Sequence, residues 1–88
     1  MFAWDENKNE SNRIRHELSF EAIRDFDWND PVVVDRSRHA DGEKRYAAIG
    51  MLRGKLHIVI FTYRGDDIRI ISLRRSNSKE ERAYAETE

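Results

Sequence analysis

LHIVIFTYRGDDIRIISLRR, residues 56–75, decides the fold. Two apolar, β-branched runs flank a short loop carrying Gly65, the pattern of two antiparallel strands joined by a tight turn. The first run, within 55–63, is apolar on both faces at 58–61, as in a strand at the centre of a sheet. Arginines stand at the loop and along the second run: Arg64, Arg69, Arg74 and Arg75. A buried strand gains nothing from a guanidinium, so these side chains call for acidic or phosphate partners.

The segments on either side extend the sheet. Residues 44–52 (KRYAAIGML) read as a further strand, and 32–35 (VVVD) as a short β-branched one. The glycine of HADGE suits a hairpin connection before residue 44. Adjacent pairing of these strands gives an antiparallel sheet, although its register is not legible. At the start of the chain, FAWD (2–5) reads as a short strand with Phe2 and Trp4 on one face. Asp5 then caps a helix running to about 15–17. On it Asp5, Asn9, Asn12 and His16 form one polar stripe, which leaves only the edge at Ile14 and Leu18 to pack. Ser19 caps a second helix over 20–26, with Phe20, Ile23 and Phe26 facing the core, and Asn29-Asp30-Pro31 ends it. Ser78-Lys79-Glu80-Glu81 has the capping-box form, so a last helix begins at Lys79. The chain therefore reads as one α+β domain over 1–88, in the order β-α-α-β-β-β-β-α, with helices on one side of a small antiparallel sheet.

Composition narrows the function. Eighty-eight residues, 39% hydrophobic and 38% charged, allow a single small core. There is no bilayer-spanning apolar run and no signal-peptide pattern, so a cytoplasmic protein without membrane contact is expected. The absence of cysteine excludes disulfides and thiolate metal sites. His16, His39 and His57 lack ligand spacing, so neither metal nor cofactor is expected. The net charge of −1 conceals an asymmetry: residues 1–35 carry −5, residues 36–75 carry +6 and the last thirteen carry −2. Positive charge thus concentrates in the sheet segment, where it can attract phosphate or be neutralised by the acidic helices.

Cutting RNA without a metal requires a base for the 2′-hydroxyl, an acid for the leaving oxygen, and cations around the phosphate. Residues 36–75 hold that inventory in His39, Glu43, Lys44, Arg45, Arg64, Arg74 and Arg75, and His16 could join from the first helix. Each has a structural counterpart reading. His16 suits the negative end of a helix dipole, Glu43 and Arg45 can pair with each other, and His57 fits an apolar strand as a structural residue. Arg74 and Arg75 point to opposite faces, so one site takes only one of them. Tyr46 and Tyr63 could stack on bases, whereas Phe61 reads as core.

Taken in order, the residues carry a resemblance over nearly the whole length. It runs through Phe2, Trp4-Asp5-Glu6, Lys8-Asn9, Asn12 and Arg15-His16, then Ser19-Phe20-Glu21-Ala22, Phe26 and Asp30-Pro31. It continues in Asp41-Gly42-Glu43-Lys44-Arg45, Ile49-Gly50, Thr62, Arg64-Gly65, Ile68 to Ser72, Arg74-Arg75, Glu81-Arg82 and Tyr84. This pattern resembles the BrnT family of type II toxins. The resemblance implies a RelE-like fold and a ribonuclease that inhibits translation and arrests bacterial growth. It also implies neutralisation by a BrnA-like ribbon-helix-helix antitoxin, with operator DNA bound through that antitoxin. On that reading Arg64 and Arg45 are expected to bind the reacting phosphate and Glu43 or His16 to act as base or acid, which makes these four the candidate catalytic residues, while Arg74 or Arg75, with Lys44, His39 and Tyr63, is expected to contact RNA. Glu17, Tyr63 and Leu73 depart from the family pattern, Glu17 standing where glycine is common. The alternative is a RelE-like module that binds antitoxin and contributes to operon repression without cutting RNA.

Overall fold

The computed structural model describes residues 1–37 and 42–87. β1 (Phe2–Trp4) leads into α1 (Glu6–His16) and a 3-10 helix, Phe20–Asp25. β2 (Val32–Asp35), β3 (Tyr46–Leu52), β4 (Lys55–Arg64) and β5 (Asp67–Arg75) follow, and α2 (Ser78–Thr87) ends the chain. The strands form one sheet in the order β1-β5-β4-β3-β2. β2 to β5 pair antiparallel in sequence, as the hairpin signals require. β1 instead runs parallel to β5, so the expected antiparallel sheet is mixed. The reason lies in the pattern of β5. Its outer edge is open at 68–70, and the parallel register sets Phe2 beside Ile68 and Trp4 beside Ile70, with all four side chains toward one core.

That core lies on one face of the sheet. Phe20, Ile23 and Phe26 cover Ala48, Leu52, Val59, Phe61, Ile70 and Leu73. Phe20 and Ile23 are fully buried, each stabilising the fold by about 2–3 kcal/mol. The segment expected as an α-helix over 20–26 is a 3-10 helix of six residues, tightened by a bond from Ala22 N–H to Ser19 C=O. Phe26 lies so close to the sheet that a Cβ on Gly50 would come within 2.8 Å of its ring. The opposite face carries Ala47, Ile49 and Ile58, and Tyr84 of α2 packs on them. The helices thus flank both faces rather than one. A central strand apolar on both sides at 58–61 needs two covers, and the weakly apolar α2 supplies the second.

β5 contains a bulge. Phe61 faces Ile70 and Ile60 faces Ser72, which leaves Ile71 as the extra residue. The bulge lets Ile70 and Leu73, three residues apart, share the core. It also puts Arg69 and Arg74, five apart, on the same opposite face, where a regular strand would have separated them.

α1 reverses the expected packing. Ile14 is 73% exposed, while Asn9 and Asn12 are 8% and 6% exposed. The polar stripe is the packed face. Asn12 Nδ2 donates to Leu73 C=O (2.8 Å) and Leu18 C=O (2.9 Å), and its Oδ1 accepts from Leu73 N–H (3.1 Å). Beyond residue 70 β1 no longer covers β5, so the Asn12 carboxamide stands in for a neighbouring strand. Asn9 Oδ1 accepts from Phe20 N–H at 2.8 Å and fixes the start of the 3-10 helix.

α1 ends at Glu17, which is left-handed (φ 57°) with its N–H bonded to Arg13 C=O. That conformation suits glycine, and a side chain there is strained by about 1 kcal/mol. Glu17→Gly is therefore expected to stabilise the fold by about 0.5–1 kcal/mol, read as a rise in melting temperature. A fall would show that Glu17 makes a compensating contact.

Candidate functional site

The face opposite the core divides into a covered and an open half. α2 crosses the covered half and is anchored by Glu80. Arg74 donates through both terminal nitrogens to Glu80 Oε1 and Oε2 at 2.9 and 2.8 Å. The same carboxylate accepts from Asn77 N–H (2.9 Å), while Glu80 N–H donates to Asn77 Oδ1 (2.9 Å). The capping box is therefore Asn77 with Glu80, one residue before the expected Ser78 and Glu81, because only Glu80 also meets Arg74. Glu80 is 7% exposed. Burial alone would push its carboxyl up, but the hydrogen bonds from Arg74 and the Asn77 N–H outweigh that and hold it below the ordinary range.

The open half carries a row of cations across four strands. Thr62 pairs with Arg69 on β5. One residue beyond Tyr46↔Phe61, the β3–β4 ladder sets Arg45 beside Thr62, and Arg36 N–H donates to Arg45 C=O at 2.7 Å. By strand alternation Arg36, Arg45, Thr62 and Arg69 share this face. Thr62 is buried and donates to Lys44 C=O at 2.5 Å, tying the segment before β3 to β4. Arg64 and Glu43 stand one step further, joined by a long contact of 3.5 Å at the surface. Among the described residues, no carboxylate lies within ion-pair distance of Arg36, Arg45 or Arg69, and Arg45 Nε is buried without a hydrogen-bond partner.

The residues singled out from the sequence fall into groups. Arg64, Arg45 and Glu43 come together in this patch. Lys44 and Tyr63 line a hollow of about 370 Å³ with Glu43, Tyr46 and Thr62. Tyr63 is 59% exposed, and alternation turns it to the core face, where its ring meets Tyr46 and Phe61. The hollow therefore wraps the end of the sheet from one face to the other. Arg74 is engaged by Glu80. Arg75 faces His57 in the register, on the other side of the sheet. His57 is buried, its Nδ1 is 2.9 Å from Lys55 C=O, and burial lowers its pKa, in keeping with its structural reading. His16 lines a different cavity with Ser72. Ser72 pairs with Ile60, four residues along β4 from Arg64, so the two backbones are separated by about 14 Å along the strand. His39 lies outside the described residues.

Arg36 and Arg69 complete the row and were not assigned to a site from the sequence. The alternation Ile68-Arg69-Ile70 already placed Arg69 opposite an apolar pair. Arg36 had no comparable signal, because it follows a short edge strand.

Together the fold and this row define a small α+β protein with a cationic sheet face half covered by its last helix. A family model described as the ribonuclease toxin BrnT of type II toxin–antitoxin systems matches residues 4–80, and the chain belongs to that family. No curated protein sequence matches it.

Proposed function

We propose that this chain is a metal-independent endoribonuclease whose reacting phosphate sits on the arginine row between Arg45 and Arg64. The observation that carries this reading is the set of guanidiniums, Arg36, Arg45 and Arg69, that form no ion pair among the described residues, beside an Arg64 held only by a long contact to Glu43. Guanidinium groups left without carboxylates are available to a phosphodiester, whose oxygens they match in pairs. Glu43 removes the proton from the 2′-hydroxyl, and the 2′-oxygen attacks the adjacent phosphorus. The 5′-oxygen leaves and takes a proton from solvent at this exposed site, giving a 2′,3′-cyclic phosphate and a 5′-hydroxyl. Arg45, Arg64 and Arg69 stabilise the charge that develops on phosphorus. Lys44 and Tyr63 hold the flanking strand, Tyr63 by stacking at the rim of the hollow. Metal independence rests on the sequence, whose histidines lack ligand spacing and which has no cysteine.

In the cell this activity would inhibit translation and arrest growth. A BrnA-like ribbon-helix-helix antitoxin would neutralise it and carry the complex to operator DNA. The test is incubation of the antitoxin-free protein with RNA in EDTA beside Arg64→Ala. Cleavage by the native protein and its loss in a folded Arg64→Ala variant are expected. RNA bound but left intact by the native protein would favour the non-enzymatic module, in which the same face grips an acidic antitoxin segment.

A further inference from the structure

A second group of unpaired cations lies along α1. Lys8, Ser11, Arg15 and His16 recur at spacings of three, four and one, which places them on one face of the helix. That face forms one wall of a cavity of about 180 Å³, and Ile71 and Ser72 of β5 form the other. No acidic residue lines it. Among the described residues Lys8, Arg15 and His16 make no ion pair. Arg15 and His16 in the last turn suit the negative end of the helix dipole. Lys8 does not, because it stands in the first turn, where anions are favoured. The dipole therefore leaves part of the cluster unexplained, and the helix holds three basic groups within about 12 Å of its length.

We propose that this cavity is a second phosphate subsite for the RNA strand whose reacting link lies on the arginine row. It rests on the proposed function and extends it to the length of strand recognised. Its lining of three basic side chains and two hydroxyls, with no Phe, Tyr or Trp to stack on a base, suits a phosphate group. Lys8 and Arg15 supply charge, and Ser11 and Ser72 supply hydroxyl donors. The subsite and the row are continuous. Ser72 faces the same side of the sheet as Arg69, three residues away, and the bulge at Ile71 lies between them. One strand of RNA can therefore run along β5 from the row to α1. His16 belongs to this subsite and does not share a phosphate with Arg64.

The test uses a long, non-cleavable 2′-O-methyl oligoribonucleotide and the corresponding dinucleotide, which is too short to reach both places. Their affinities are measured against salt for the native protein and for Lys8→Ala combined with Arg15→Ala. Both side chains are exposed and unpaired, so folding should be retained, and Lys8→Gln with Arg15→Gln provides a second variant. The long strand is expected to bind about tenfold more weakly to the variant. The slope of log affinity against log salt should shrink by about 0.7 for each phosphate that is no longer neutralised. Dinucleotide binding should not change. An unchanged affinity and slope for the long strand would overturn the subsite, as would an equal loss for the dinucleotide. A native protein that binds neither ligand would overturn the ribonuclease reading itself, and the subsite with it.

Discussion

Replacing Asn12 by alanine is expected to cost roughly 3–4 kcal/mol, because among the described residues the carboxamide is what pairs with the edge of β5 at Leu73 that faces away from β4. Three backbone groups lose their partner at once: Leu18 C=O, Leu73 C=O and Leu73 N–H. A buried backbone group left without a hydrogen bond costs about 1–3 kcal/mol, and partial access of water trims the total. A domain of this size has only about 5–13 kcal/mol in hand, so the melting temperature should fall by roughly 15–25 °C. Asn12→Asp should be no milder, since a carboxylate oxygen would replace the nitrogen that now donates to two carbonyls. Ile14→Ala is the contrast. Ile14 is the apolar residue of α1 that a hydropathy argument would protect, but it is exposed, and its loss should stay within about 0.5 kcal/mol. Urea or thermal unfolding of the three variants decides the matter. A loss below about 1 kcal/mol for Asn12→Ala would mean that water replaces the amide and that α1 is held by something else.

The same helix shows what the sequence could not convey. Amphipathic reasoning assumes that a helix packs through apolar atoms, so Asn9 and Asn12 read as solvated. They are buried because their partners are backbone groups, and backbone groups leave no trace in a hydropathy pattern. The β4–β5 hairpin was legible because its alternation and its glycine loop are local. The bulge at Ile71 was not, since an extra residue in β5 is defined only by its pairing with β4. Reading β5 as a regular strand would therefore have set Arg69 and Arg74 on opposite faces. The separation of Arg74 from Arg75 was legible, because adjacent residues alternate regardless of register. The arginine excess of residues 36–75 pointed to a cationic sheet. Which guanidiniums remain open was settled by Glu80, whose tie to Arg74 depends on α2 crossing back over the sheet.

The sharpest separation of function from stability is expected at Arg45. Its Nε is buried without a partner, and burying an unpaired donor is unfavourable to the folded state. Arg45→Met keeps an unbranched aliphatic stem in the same place and removes the orphaned nitrogen. The variant should match or exceed the native melting temperature. Its ribonuclease activity should nevertheless fall by about 100- to 1,000-fold, the usual loss when one preorganised donor to a developing negative charge is removed. The two changes have opposite signs because the stability effect comes from the buried Nε, whereas the activity effect comes from the terminal nitrogens of the guanidinium, which are left to a phosphate. Arg74→Met is the counterexample on the same face. Arg74 is already satisfied by Glu80, so its loss leaves a nearly buried carboxylate unpaired and should lower stability first. Measuring melting temperature and RNA cleavage on both variants tests the division of the face into an anchored half and an open half. A destabilised Arg45→Met protein that still cuts RNA at the native rate would make Arg45 structural and move the reacting phosphate elsewhere.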